Sequence, residues 1–224
     1  MIGAFFVDNC VDMLFSNCKA FNNTGSGIEI TNNSNNISID ACSMSCNKIN
    51  GYEINTNSAY ITISDGSCSQ NMLYGAHIDS SVSDIIINSS CFLYNSKGIY
   101  VEGTENVISA SSVCSNNTGI ECIGSIIIKG CTIHSNTTNG IDLTSGHDSV
   151  IESNQLHNNG NTGIIIGGEN NIISTNRIRS CVNGVQINIT AGNTIVTSNN
   201  MKGNTGTNYS DLGTGTISAN NIII

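Results

Sequence analysis

From Phe15 almost to the chain end, hydrophobic and polar positions recur every 20 to 24 residues. In each copy an apolar residue is followed at plus three by a small or polar one. A second apolar residue comes at plus five, an Asn at plus eight, and a Gly shortly afterwards. Ile39, Cys42, Met44, Asn47 and Gly51 form one such copy. The first apolar position runs through Phe15, Ile39, Ile63, Ile87, Ile108, Ile128, Ile151, Ile173, Val196 and Ile217. After the Gly the chain alternates, as in Gly27-Ile28-Glu29-Ile30 and Gly98-Ile99-Tyr100-Val101. Alternation over four residues predicts a strand with one buried face, so Ile28 and Ile30 point inward and Glu29 outward. A second strand carries the first apolar position, as in Ile61-Thr62-Ile63. The period holds no helix-length segment. Each copy therefore predicts one turn of a solenoid of two or three short strands, with equivalent residues stacked into columns.

Two columns read as construction. Asn23, Asn47, Asn71, Asn95, Asn116, Asn136, Asn159 and Asn204 share the plus-eight position. Asn tolerates a left-handed backbone and bonds to nearby backbone in turns, and stacked amides can bond to one another. Gly27, Gly51, Gly75, Gly98, Gly119, Gly140, Gly163 and Gly184 are expected at a tight bend where a Cβ would clash. Neither these glycines nor Gly167-Gly168 are read as a nucleotide-binding loop. The segment Gly203 to Gly215 breaks the spacing and is expected to be a longer loop.

The copies, among them SVIESNQLHNNGNTGIIIG (Ser149 to Gly167) and NNIISTNRIRSCVNGVQI (Asn170 to Ile187), resemble right-handed parallel β-helix repeats. That fold is shared by pectate lyases, polygalacturonases, alginate epimerases and lyases, and many phage tailspikes. The resemblance covers nearly the whole chain. It implies an all-β protein, a single-stranded right-handed parallel β-helix of about ten rungs, forming one domain over residues 1–224. At about 4.8 Å per rung the rod is about 45 Å long. The start within a rung and the end at Ile222-Ile223-Ile224 raise the expectation that flanking domains or a homo-oligomer cap the helix ends. The scaffold by itself does not imply an activity. Gly146-His147-Asp148 and Asn139-Gly140-Ile141-Asp142 are similar to polygalacturonase motifs. The adjacent Asp pair and the Arg-Ile-Lys of that family are missing, so polygalacturonase activity is not expected.

Composition narrows the partners. Seven Lys and Arg against sixteen Asp and Glu give a net charge of −9, which argues against nucleic acid or an anionic membrane surface. Apolar runs such as Ile126-Ile127-Ile128 are far too short to span a bilayer. The start MIGAFFVDN lacks a basic n-region, so no signal peptide is visible in this chain. Of the ten cysteines, Cys18, Cys42 and Cys131 share the plus-three column, Cys68 the plus-five column, and Cys181 replaces an Asn. They read as reduced structural thiols. A Cys18–Cys42 bridge between stacked rungs is conceivable in geometry but not expected. No Cys/His spacing suggests zinc.

Candidate chemistry lies in two outward columns after each Gly. The first holds Glu29, Glu53, His77, Tyr100, Glu121, Asp142, Ile165 and Gln186; the second includes Asp79 and Glu102. The middle rungs thus gather Glu53, His77, Asp79, Tyr100, Glu102, Glu121 and Asp142 on one face as candidate catalytic residues. Two carboxylates about 5 to 10 Å apart suit glycoside hydrolysis. A His and a Tyr on adjacent rungs could instead act as base and acid beside a uronate carboxyl, as in lyases and epimerases. No Lys or Arg occupies either column, and Tyr100 is their sole aromatic besides His77. An acidic patch favours a neutral glycan or a calcium-mediated contact, although no calcium-loop motif is present and no cofactor is expected. The leading expectation is a carbohydrate-binding or carbohydrate-processing module on a cell or virion surface, or otherwise extracellular, with hydrolysis ahead of lyase or epimerase chemistry. The alternative is a structural or adhesive solenoid, because outward positions must be polar in any case and rungs this short leave no long loops to wall a groove.

Overall fold

The computed structural model describes residues 4–223; Met1 to Gly3 and Ile224, which belong to the terminal segments noted above, lie outside them. Each turn contributes strands to three parallel sheets of ten, ten and eight strands, and no helix occurs among the described residues. Sheet 1 runs from Phe5–Asp8 to Tyr209–Asp211, sheet 2 from Val11–Ser16 to Ile217–Ala219, and sheet 3 from Lys19–Phe21 to Arg177–Arg179. Every strand pairs with its equivalent one turn away. The ten strands of sheets 1 and 2 make about nine full turns, in keeping with the expected solenoid of about ten rungs.

The sequence pattern explains the core. Ile39, Ile63, Ile87, Ile108, Ile128, Ile151 and Ile173 stack in register on sheet 2 and are fully buried. The plus-five residues Met44, Cys68, Phe92, Val113 and Ile133 do the same on sheet 3. At the C-terminal end the register differs from the expected one: Val196 pairs with Ser218, not Ile217, and Ile217 is 60% exposed. The segment from Gly203 to Gly215 is not simply a loop, since Tyr209–Asp211 continues sheet 1. The outward column of sheet 2 departs from the polar rule. Ile86, Val107, Ile127, Val150, Ile172 and Ile195 stack there in register, and β-branched cross-strand pairs stabilise strands too short to persist alone.

The Asn column is a hydrogen-bonded ladder. Each side-chain amide donates to the next Asn oxygen at 2.8–3.2 Å from Asn23 through Asn159. The amides also reach main-chain carbonyls, as Asn116 does to Phe92 O at 3.1 Å. Cys181 interrupts the ladder, with Asn159 Nδ2 3.9 Å from its sulfur. A second ladder not anticipated from the sequence joins Asn154, Asn176, Asn199 and Asn221 at 3.0–3.1 Å. The left-handed backbone belongs to the residue before the Asn, as in Cys46, Gln70 and Tyr94, and to a second corner at Ala41, Asp65 and Ser89. The inward-pointing Asn is thereby free for the ladder. The Gly column likewise serves close approach rather than positive φ: a Cβ on Gly119 would lie 2.4 Å from Gly140 O and 2.9 Å from Asn136 Nδ2. All ten cysteines are free thiols, and Cys18 N donates to Cys42 Sγ at 3.3 Å.

Candidate functional site

The outward face of sheet 1 carries the expected register. Glu29 lies beside Glu53, Glu53 beside His77, His77 beside Tyr100, Tyr100 beside Glu121, and Glu121 beside Asp142. The inward neighbours Ile54, Ile78, Val101 and Cys122 are fully buried and fix the strands from below.

His77 organises the centre. Its Nδ1 is 2.8 Å from Glu53 Oε1, and its Nε2 is 3.2 Å from Glu102 Oε1. Asn50 donates to the other Glu53 oxygen. In the amide orientation that satisfies its contacts, Asn55 donates to Glu53 Oε1 at 2.8 Å. Burial pulls the His77 pKa down, but the hydrogen bonds and charges of Glu53 and Glu102 outweigh it and leave the pKa raised. The imidazolium satisfies both carboxylates by donating from both nitrogens. It then has no lone pair to act as a base, so in this geometry His77 positions carboxylates rather than abstracting a proton.

An aromatic stack flanks this pair. The His77 and Tyr100 rings lie 5.4 Å apart and nearly parallel, at 7°, and Tyr74 packs 5.1 Å from Tyr100. Lys97 Nζ sits 3.9 Å from the Tyr100 ring centroid and 2.8 Å from Glu121 Oε1. Tyr100 thus contacts both an imidazole and an ammonium, the latter in a cation–π arrangement. Its phenol is pushed up to about 12, first by burial, then by the charges of Glu102 and Glu121 and a hydrogen bond to Glu102. It stays protonated at neutral pH and acts as a donor.

Asp79 and Asp142 share the face but are tied into their own turns. Asp79 accepts from Ser81 N at 3.0 Å and Ser81 Oγ at 2.8 Å; its carboxyl is lowered, chiefly by the Ser81 backbone bond. Asp142 accepts from Asn139 at 2.9 Å, from Thr144 N at 3.0 Å and from the Thr144 hydroxyl. Five of the seven candidates, Glu53, His77, Tyr100, Glu102 and Glu121, are therefore linked with Lys97 and Tyr74 into one network. Tyr74 and Lys97 were missed in the sequence because they precede the Gly, in a position that is Asn50, Thr118 or Asn139 in neighbouring turns. The signal that could have found them is length: a side chain there reaches the outward column of the next rung. They correct the picture of a patch with a single Tyr and no cation. At the N-terminal end of the strip a shallow depression of about 230 Å³ is lined by Ser26, Glu29, Ile49, Glu53 and Asn55. Among the described residues no cluster of His, Cys, Asp and Glu is arranged to hold a metal ion.

Comparisons with known proteins agree with the architecture. Residues 82–223 match the family described as the right handed beta helix region. No curated protein matches the sequence. Among solved structures, the A-module of the Azotobacter vinelandii mannuronan C-5 epimerase AlgE6 is similar, with a TM-score of 0.80 and 15% identity over 93% of this chain and 64% of that one. This chain thus spans slightly less than two thirds of that module's length. The periplasmic alginate epimerase AlgG follows, with a TM-score of 0.72 and 14% identity over 97% and 70% of the two chains. PfbA, a surface adhesin of Streptococcus pneumoniae, gives 0.68 and 14% over 92% and 63%. At these identities the likeness concerns the fold.

Proposed function

Since the chain belongs to the right-handed beta helix family, we propose that it is a carbohydrate-binding module displayed outside the cell or on a cell or virion surface, with the strip from Glu53 to Asp142 as its glycan site. The observation that carries this reading is the ordered set of polar edges on sheet 1. Glu53, Glu102 and Glu121 are held at rung spacing by His77 and Lys97, beside the protonated Tyr100 phenol. Carboxylates fixed in this way keep lone pairs that accept sugar hydroxyls without reorganisation. The epimerase neighbours, by their names, process mannuronan or alginate. Here the strip is predominantly acidic, and its Lys97 is already paired with Glu121. A neutral glycan therefore suits it better than a polyuronate.

If the module also turns its ligand over, Glu53 and Glu102 are the carboxylate pair. Both bond one imidazole, Glu53 at 2.8 Å and Glu102 at 3.2 Å, so their bonded oxygens are at most about 8 Å apart, a separation that suits an inverting glycosidase. The alternative, an adhesive or structural solenoid, is favoured by the short spacing of 20 to 24 residues between ladder Asn residues, which leaves no walls around the strip. The test is glycan-array binding together with reducing-end release, on the wild type and on Glu53→Ala/His77→Ala/Glu121→Ala. Binding lost in the variant supports the site, and released reducing ends add hydrolysis. Absence of binding and turnover on every glycan leaves the structural solenoid.

A further inference from the structure

The solenoid segregates its charge, and the segregation points to a second site. No strand of sheet 3 contains an Asp or Glu. Three of the chain's seven Lys and Arg residues gather at its C-terminal end: Arg177, Arg179 and Lys202. Arg177 and Arg179 flank the buried Ile178, so both guanidinium groups project from the same outward face. Asn200 bridges to Arg177, which sets Lys202 in register with Arg179 one rung, about 4.8 Å, further on. In the other direction His157 pairs with Arg179 and His134 with His157, the two imidazoles stacked at 4.8 Å and 4°. His134, His157, Arg179 and Lys202 thus form a straight column parallel to the solenoid axis. Its cationic end opens on a cleft of about 330 Å³ lined by Arg177, Arg179, Ser180, Asn200, Lys202 and Gly203.

No acid among the described residues forms an ion pair with this column. Among the described residues, Arg177, Arg179 and Lys202 take part in none of the ion pairs, although the chain carries sixteen acids. The cationic surroundings are felt locally: the pKa of His157 is lowered by burial and by the positive charges of His134, Arg179 and Arg177. Unpaired cations concentrated at one place in a chain of net charge −9 are unexpected unless something outside the chain pairs with them. Two guanidinium forks on one face, with an ammonium one rung away, match the geometry of carboxylate or sulfate oxygens.

We propose that the cleft and column at the C-terminal end of sheet 3 bind an extended anionic polysaccharide through its carboxylate or sulfate groups. The site is separate from the strip on sheet 1 and does not rest on it. A linear glycan with about one charge per sugar can lie along a straight, rung-spaced column. Duplex DNA, with a charge about every 1.7 Å, is disfavoured by the chain's net charge of −9.

The experiment measures binding of the full chain to heparin, to polygalacturonate and to a duplex oligonucleotide at low salt. The variants are Arg177→Gln/Arg179→Gln/Lys202→Gln and, as a control of equal net charge, Lys19→Gln/Lys48→Gln/Lys129→Gln. All six positions are exposed and none is in the core. The first variant is expected to lose at least about tenfold in affinity for the anionic glycan, while the control keeps it. Binding to heparin alone assigns sulfate, and binding to polygalacturonate assigns carboxylate. Equal losses in both variants, no binding of either glycan by the wild type, or stronger binding to the duplex would overturn the proposal. His77→Phe, which alters sheet 1, should leave this affinity unchanged.

Discussion

Replacing His77 by Phe keeps a ring of similar size stacked on Tyr100 and removes both bonds that hold Glu53 and Glu102. Each is charge-assisted, and such bonds contribute about 1.5–3 kcal/mol when well desolvated. The side chains of His77, Glu53 and Glu102 retain 16%, 14% and 25% of their exposure. Partial screening and the cost of burying the imidazolium reduce the combined loss to about 1–3 kcal/mol. The effect depends on pH with a definite sign. The folded-state pKa of His77 is raised above its unfolded value, so the stabilisation is fully present below about pH 6.5 and disappears as pH rises through the folded pKa. Urea unfolding of wild type and His77→Phe at pH 5.5, 7 and 9 should give a difference that is largest at pH 5.5 and shrinks toward pH 9. A difference that is flat across this range, or an NMR titration placing His77 below about 6.5, would refute the argument that it is an imidazolium clamped between two carboxylates.

Three further predictions test the scaffold. Asn116→Ala removes the acceptor of Asn95 N and the donor to Phe92 O in the middle of the ladder. It should cost about 2–5 kcal/mol by chemical denaturation, against about 1 kcal/mol or less for Asn23→Ala at the part-buried end; equal costs would mean the ladder is not cooperative. Gly119→Ala forces a Cβ to within 2.4 Å of Gly140 O and should destabilise by about 2 kcal/mol or more. Gly130→Asn, at a corner with φ +63 where other turns place Asn17 and Ser89, should cost under about 1 kcal/mol in the same assay.

The period made the architecture and most of the site's register legible, because a residue's distance from its Gly fixes its column. The neighbours Glu53–His77–Tyr100–Glu121 follow from counting alone. The bonding within the column does not. Whether His77 faces Glu53, Glu102 or both depends on rotamers, and Asp79 and Asp142 turned to the local donors Ser81 and Thr144, as acids near a turn do. Lys97 was hidden because its Cα lies outside the outward columns while its four-carbon stem reaches Glu121 in the next rung. The left-handed corners were hidden for another reason. Ala41, Cys46, Tyr94 and Thr175 adopt them without any compositional mark, held by stacked main-chain bonds such as Ala41 N to Ser64 O at 3.0 Å.

Short corners have a consequence for recognition. With 20 to 24 residues per turn between ladder positions, the barrel presents open faces, and a ligand must be selected by the spacing and sign of charges along a column rather than by enclosure. On sheet 1 both cations are already engaged by carboxylates. A polyuronate would have to break Lys97–Glu121 to gain a cation, and would meet Glu53 and Glu102 as like charges. A hydroxylated neutral sugar can add bonds to the remaining carboxylate lone pairs and leave all three ion pairs intact. On sheet 3 the balance is reversed. Arg177, Arg179 and Lys202 have no internal partner among the described residues to give up, so an anionic ligand gains their full attraction at no cost in existing ion pairs. The same repeat thus supplies two faces of opposite preference, and the difference lies in whether each face has already satisfied its own charges.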